Sequence, residues 1–131
     1  MITMDTCAII WQALRPNALT KNAAKAIKEA NENDGMIMSE ISLWEIAMLI
    51  KKNRLSIDTT YPEFIKTILD ANHYHLIGIS PEIAETSTKF PNNLNADPAD
   101  RIISATSVIN HAPLITADKN LLKSSSVKTI W

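Results

Sequence analysis

Short apolar runs alternate along this chain with longer segments whose apolar residues recur at helical spacing. "MITM" (1–4) and "MIMS" (36–39) are apolar runs that end in polar residues, as buried strands do. "YHLIGIS" (74–80) and "PLIT" (113–116) read the same way, and "VKTIW" (127–131), with its β-branched and aromatic residues, predicts a last strand. Between them, residues 20–33 predict a surface helix capped by Thr20, and 39–52 predict an apolar helix capped by Ser39. Residues 61–72 place Phe64, Ile65, Ile68 and Leu69 on one stripe. Pro81 suits the first turn of a helix in "PEIAETSTKF". In "DPADRIISATSVIN", Asp97 stands at the N-cap and Pro98 at the first helical position. Strands alternating with helices imply βαβ units and a mostly parallel sheet covered on both faces, with ligands gathered at the carboxyl ends of the strands.

Composition narrows the function classes. A chain of 131 residues fits one domain, 1–131, and buries roughly two-thirds of its unfolded surface without a staple. With 46% hydrophobic and 21% charged residues it falls among soluble globular proteins. Cys7 is the only cysteine, so no intramolecular disulfide forms and a reducing cytoplasm is the simplest setting. No apolar run approaches the roughly 18 residues of a membrane span, and "MITMDTCAII" lacks the basic start of a signal peptide. The net charge of −1 makes no general electrostatic case for nucleic-acid binding, so any such case depends on where the charges lie. Two glycines leave no room for a dinucleotide-binding loop, and no P-loop or G-x-S-x-G pattern occurs. His73, His75 and His111 lack zinc-type spacing with Cys7 and read as surface or strand-end residues. Cys7 has no cationic neighbour in sequence and reads as an inert buried thiol.

The acidic residues carry the candidate chemistry. Asp5 follows the first strand and Asp118 follows "PLIT", so both belong at the same edge of a parallel sheet. Asp97 and Asp100 open the helix leading into that strand, and Glu45 sits among Ile41, Leu43, Trp44, Ile46 and Met48 on the helix after "MIMS". Each has a structural reading: Asp5, Asp97 and Asp118 as helix caps, Asp100 as a complement to the helix dipole, Glu45 as a residue reaching solvent. Taken together, unpaired carboxylates at one edge repel and raise one another's pKa. A hard divalent cation, Mg²⁺ or Mn²⁺, relieves that repulsion, and such acidic clusters serve phosphodiester hydrolysis with a metal-activated water.

At these residues the sequence resembles the PIN-domain ribonucleases, in particular VapC-type toxins of toxin–antitoxin pairs. The likeness rests on "MDTCAIIW" (4–11), "SEISLWEIAML" (39–49), "NADPADRIISATS" (95–107) and "LITADKNL" (114–121), while residues 54 to 95 carry little of it. It implies a three-layer α/β/α sandwich on a mostly parallel sheet of about five strands. It also implies Mg²⁺- or Mn²⁺-dependent endonucleolytic RNA cleavage, homodimerisation, and inhibition by a cognate antitoxin. The acidic quartet of the resemblance falls on Asp5, Glu45, Asp100 and Asp118, with metal on Asp5, Asp100 and Asp118, and with Glu45 and Asp97 as secondary ligands. Thr6 and Thr116 match small hydroxyl residues that orient the acids or bound water. Ala99 stands where related sequences often carry an aromatic residue, and Ser104 and Ser107 replace more apolar neighbours.

For RNA binding the candidates are Arg101, beside the acids, and Lys51, Lys52 and Arg54 at the end of the Glu45 helix. Arg101 also reads as an ion-pair partner of an acid, and the 51–54 group as a solvated helix end. The competing function is a non-catalytic PIN-like module that binds RNA or protein, a role that gives no reason to keep four acids. A phosphoaspartate protein fits less well: "MDTCA" has one acid where a receiver wants adjacent ones, and residue 7 is Cys where the D-x-D-x-T phosphatase pattern wants Asp.

Overall fold

Five parallel strands form one sheet in the computed structural model, which describes residues 1–131. They are β1 (Ile2–Met4), β2 (Met36–Ser39), β3 (Tyr74–Ile77), β4 (Leu114–Ile115) and β5 (Thr129–Ile130), in the order β3-β2-β1-β4-β5. Parallel neighbours need crossover connections, and helices supply them. Helices α1 (Thr6–Leu14) and α2 (Lys21–Glu32) join β1 to β2, and α3 (Glu40–Lys51) and α4 (Tyr61–Ala71) join β2 to β3. Helices α5 (Pro81–Thr88) and α6 (Pro98–Ile109) lead to β4, and the short α7 (Lys119–Lys123) leads to β5.

Local chemistry sets the helix starts. Thr20, Ser39, Thr60, Ser80 and Asp97 each accept a backbone N–H of the helix they open, as predicted at Thr20, Ser39 and Asp97. The strands are shorter than the apolar runs. "YHLIGIS" pairs only from Tyr74 to Ile77, because its partner β2 ends at Ser39, where the chain turns into α3. The final strand likewise keeps only the two residues that β4 can pair.

Packing covers both faces of the sheet. Ile2, Met4, Met36, Met38 and Ile115 meet α1, α2, α4 and Ile46 of α3 in one apolar cluster. On the other face Leu114 joins Ile103 of α6, Leu121 of α7, Leu94 and Val127. This is the expected three-layer arrangement. The buried serines of α6 differ in how they are satisfied: Ser107 donates to the Ala112 carbonyl at 2.6 Å, whereas the Ser104 hydroxyl has no partner.

The sheet order places the site. From β1 the chain runs outward to β2 and β3, then crosses back to the other side of β1 as β4. Connections leaving the carboxyl ends of β1 and β4 therefore diverge and open a crevice at the switch point. Asp5 follows β1 at this crevice, and Thr116 and Asp118 follow β4. Ile46, fully buried beside Glu45, anchors α3 against the sheet. Ile46→Ala should cost about 2–5 kcal/mol of stability in urea unfolding, the range for truncating a buried Ile to Ala.

Candidate active site

Two of the acids do two jobs with two oxygens, and a third serves as a helix cap. Asp5 caps α1, one oxygen accepting the Thr6 N–H at 2.8 Å while the other accepts the Thr116 hydroxyl at 2.7 Å. Asp118 caps α7 through the N–H groups of Asn120 and Leu121, and its second oxygen accepts the side-chain amide of Asn95 at 2.9 Å. Asp97 caps α6 through the Ala99 N–H at 2.9 Å. Capping pins each carboxylate to a helix N-terminus, whose dipole favours negative charge.

Glu45 lies on α3, one turn beyond Ser42, so both point the same way. The Thr6 hydroxyl donates to Glu45 at 2.5 Å and lies 2.9 Å from the Ser42 hydroxyl. A hydroxyl has one proton, so Ser42 must donate to Thr6 while Thr6 donates to Glu45. This buried relay fixes the carboxylate and answers why α3 carries it. Asp100, in the first turn of α6, accepts the Asn95 amide at 3.1 Å, so Asn95 holds Asp100 and Asp118 together. Oxygens of Glu45, Asp97 and Asp100 approach within 4.8 Å of one another.

The five carboxylates share this crevice without a cation. The ion pairs of the protein, such as Lys66–Asp70 and Lys89–Glu85, involve none of them. Burial, then the charges of Asp5, Asp97 and Glu45, push the Asp100 carboxyl up to about 7. Asp5 is raised by burial, against the Thr116 and Thr6 hydrogen bonds that lower it. Burial also raises Glu45, against the Thr6 hydrogen bond. An all-oxygen donor set with unrelieved negative charge suits a hard divalent cation, and Glu45, Asp97 and Asp100 offer three ligand atoms close enough to share one. Asp97 is thus as central as the acids ranked above it by sequence.

The other expected residues fall differently. Lys52 and Arg54 line a cleft with Glu45 and Asp97, whereas Lys51 is exposed and lies off it. Arg101 neither faces a phosphate site nor pairs with an acid. Its guanidinium donates to the carbonyls of Asn95, Phe90, Pro91 and Leu94 at 2.8–3.4 Å, with Ser87 at 3.5 Å. It clamps the segment that carries Asn95, and so supports the acids at one remove. Cys7 is exposed, not buried, and partial desolvation together with the neighbouring carboxylates raises its thiol to about 11, so it stays protonated. His73 and His75 pack together at 4.9 Å at the far end of β3, away from the acids. Asn95 and Ser42 escaped the sequence reading. Both lie within the segments that carry the resemblance, but nothing in their local pattern signals an amide bridging two carboxylates or a hydroxyl relay.

A parallel sheet with a cluster of acids at its switch point defines an α/β protein of the PIN-like class. The chain belongs to the PIN-domain family, whose model matches residues 2–125. It is similar to ribonuclease VapC22 of Mycobacterium tuberculosis, with 28% identity over 99% of this chain and 98% of that protein. Among solved structures it resembles a toxin–antitoxin complex from Klebsiella pneumoniae (TM-score 0.66, 20% identity, 98% of this chain and 97% of that one). It also resembles VapBC2 of Rickettsia felis bound to a promoter DNA fragment (TM-score 0.70, 14% identity, the same coverage). At those identities the structural likeness establishes the fold.

Raised carboxyl pKa values mean that the folded protein holds protons the unfolded chain would release, so without metal its stability falls as pH rises from the ordinary carboxylate range through about 7. Metal-stripped protein should therefore melt at a higher temperature at pH 5 than at pH 8, and Mn²⁺ should stabilise it more at pH 8. Asp100→Asn should shrink that pH difference in a thermal melt. Arg101→Lys, which cannot reach the same carbonyls, should cost about 2 kcal/mol in urea unfolding.

Proposed function

We propose that this protein is a metal-dependent endoribonuclease and the toxin component of a type II toxin–antitoxin pair. The observation that carries the reading is the convergence of Asp5, Glu45, Asp97, Asp100 and Asp118, none of them in a salt bridge with a cationic side chain. Membership of the PIN family and the likeness to a protein named as a ribonuclease supply the substrate class. The likeness to toxin–antitoxin complexes supports a cognate antitoxin as partner. We carry over homodimerisation and a cytoplasmic location from the same resemblance, with the whole chain acting as one domain. No helix is long and apolar enough to cross a membrane.

In this reading Asp5, Asp100 and Asp118 would hold Mg²⁺ or Mn²⁺, with Asp97 and Glu45 as further candidate ligands, directly or through water. When bound, the ion supplies positive charge where negative charge develops on the phosphate and makes a water acidic enough to attack. Glu45, held by Thr6, orients that water and takes its proton. The water oxygen bonds to phosphorus as the ester P–O bond opposite it breaks and the leaving oxygen takes a proton from solvent, giving one phosphate end and one hydroxyl end. Thr116 keeps Asp5 turned into the crevice, and Asn95 keeps Asp100 and Asp118 in register.

Asp5→Asn keeps a good helix cap while removing the charge. It should lower cleavage of single-stranded RNA by roughly 100-fold or more, the scale on which charge stabilisation acts, with an unchanged circular-dichroism spectrum. EDTA should stop the unmodified protein, and added Mn²⁺ or Mg²⁺ should restore it. Undiminished cleavage by the variant would refute the assignment.

A further inference from the structure

The cleft of about 580 Å³ that Glu45 and Asp97 border has a second half with opposite chemistry. Glu45, Met48 and Lys52 follow one another along one face of α3, so the cleft runs down that face. Seven residues separate Glu45 from Lys52, about 10 Å along the axis. Lys52 is therefore not placed to neutralise Glu45, and neither Lys52 nor Arg54 pairs with any carboxylate.

Arg54 is brought back to the same cleft by the way α3 ends. Asn53 adopts a left-handed conformation (φ 58°), its N–H donating to the Ile50 carbonyl at 3.1 Å and that of Arg54 to Leu49 at 2.9 Å. These two bonds form a Schellman turn, in which Asn tolerates the left-handed backbone. The turn reverses the chain and sets both cations at one end of the cleft.

Trp44 lines the cleft as well and is 58% exposed, the most exposed of the large hydrophobic residues. The other two tryptophans, Trp11 and Trp131, pack on each other at 5.6 Å, whereas Trp44 has no aromatic partner. An uncovered indole near two unpaired cations has the composition of a single-stranded nucleic-acid platform, where bases stack on aromatic faces and phosphates meet Lys and Arg.

We propose that this half of the cleft seats the nucleotides next to the cleaved phosphodiester, with a base stacked on Trp44 and phosphates held by Lys52 and Arg54. The occupant is single-stranded RNA, and the proposal rests on the nuclease reading of the acids. Charge complementarity argues for it: the strand's reacting phosphate lies at the acid end, where a cation is needed, and its next phosphates lie at the basic end. Specificity in this half is for an unpaired base, since a base locked in a duplex cannot turn its face to the indole.

The test titrates a fluorescein-labelled single-stranded oligoribonucleotide into Asp5→Asn protein with Mg²⁺ present and reads anisotropy. Trp44→Leu in that background should weaken binding about 10-fold or more, and Trp44→Tyr should retain most of the affinity, as stacking requires. Lys52→Gln with Arg54→Gln should reduce the slope of log K against log salt by about 1.4, the value for two lost phosphate contacts on a single strand. Unchanged affinity in Trp44→Leu, or an unchanged slope in the double variant, overturns the proposal. So does a loss of dimer mass in sedimentation by Trp44→Leu without loss of RNA affinity, which would make a second copy of the chain the occupant. Binding is read in a variant that does not cut, so failure of the unmodified protein to cleave counts against the nuclease reading alone.

Discussion

Mutual repulsion among five carboxylates is the constraint around which this fold is arranged. They arrive from β1, α3, α6 and the segment after β4, and burial, with their mutual repulsion added, leaves the Asp100 carboxyl near 7 and raises Asp5 and Glu45. Two features make it tolerable: helix N-termini under Asp5, Asp97 and Asp118, and neutral donors on the remaining oxygens. Thr6, Thr116 and Asn95 supply those donors, and none brings a positive charge. A lysine in their place would quench the negative potential and with it the affinity for a divalent ion.

Support for the acids is layered. Asn95 touches Asp100 and Asp118, and its carbonyl is held in turn by Arg101, which also gathers the carbonyls between Phe90 and Leu94. A segment without regular structure thereby becomes a rigid bracket, because one guanidinium satisfies several backbone acceptors at once. Asp100 and Arg101 are neighbours on α6, one facing the crevice and one facing the bracket.

Much of this was legible from local pattern, and the rest fails for one reason. Helix starts at Thr20, Ser39 and Asp97 follow from caps that act within three residues, and the sheet class follows from alternation. For Asp5 and Asp118 capping does not exclude a second contact, since a carboxylate has two oxygens and these use both, while Asp97 caps α6 with one oxygen and lies close to Glu45 and Asp100. What local pattern does not carry is the direction of a long side chain and the length of a partner strand. Arg101 therefore read as a phosphate ligand or an ion-pair partner, whereas its guanidinium donates to backbone carbonyls; Cys7 read as buried when it is exposed, and β3 read three residues too long.

Strand order also governs when the enzyme comes into being during synthesis. The Thr3 hydroxyl donates to the Ala112 carbonyl, and Thr116 donates to Asp5, contacts spanning 109 and 111 residues. The first strand thus lies at the centre of the sheet with one side bare until β4, more than 100 residues later, is available to pair with it. A nascent chain stalled before Leu114 carries Asp5 and Glu45 but neither β4 nor Asp118 to complete their crevice. By this topology the acidic crevice is assembled only once the segment from Leu114 to Asp118 has joined the strands made before it.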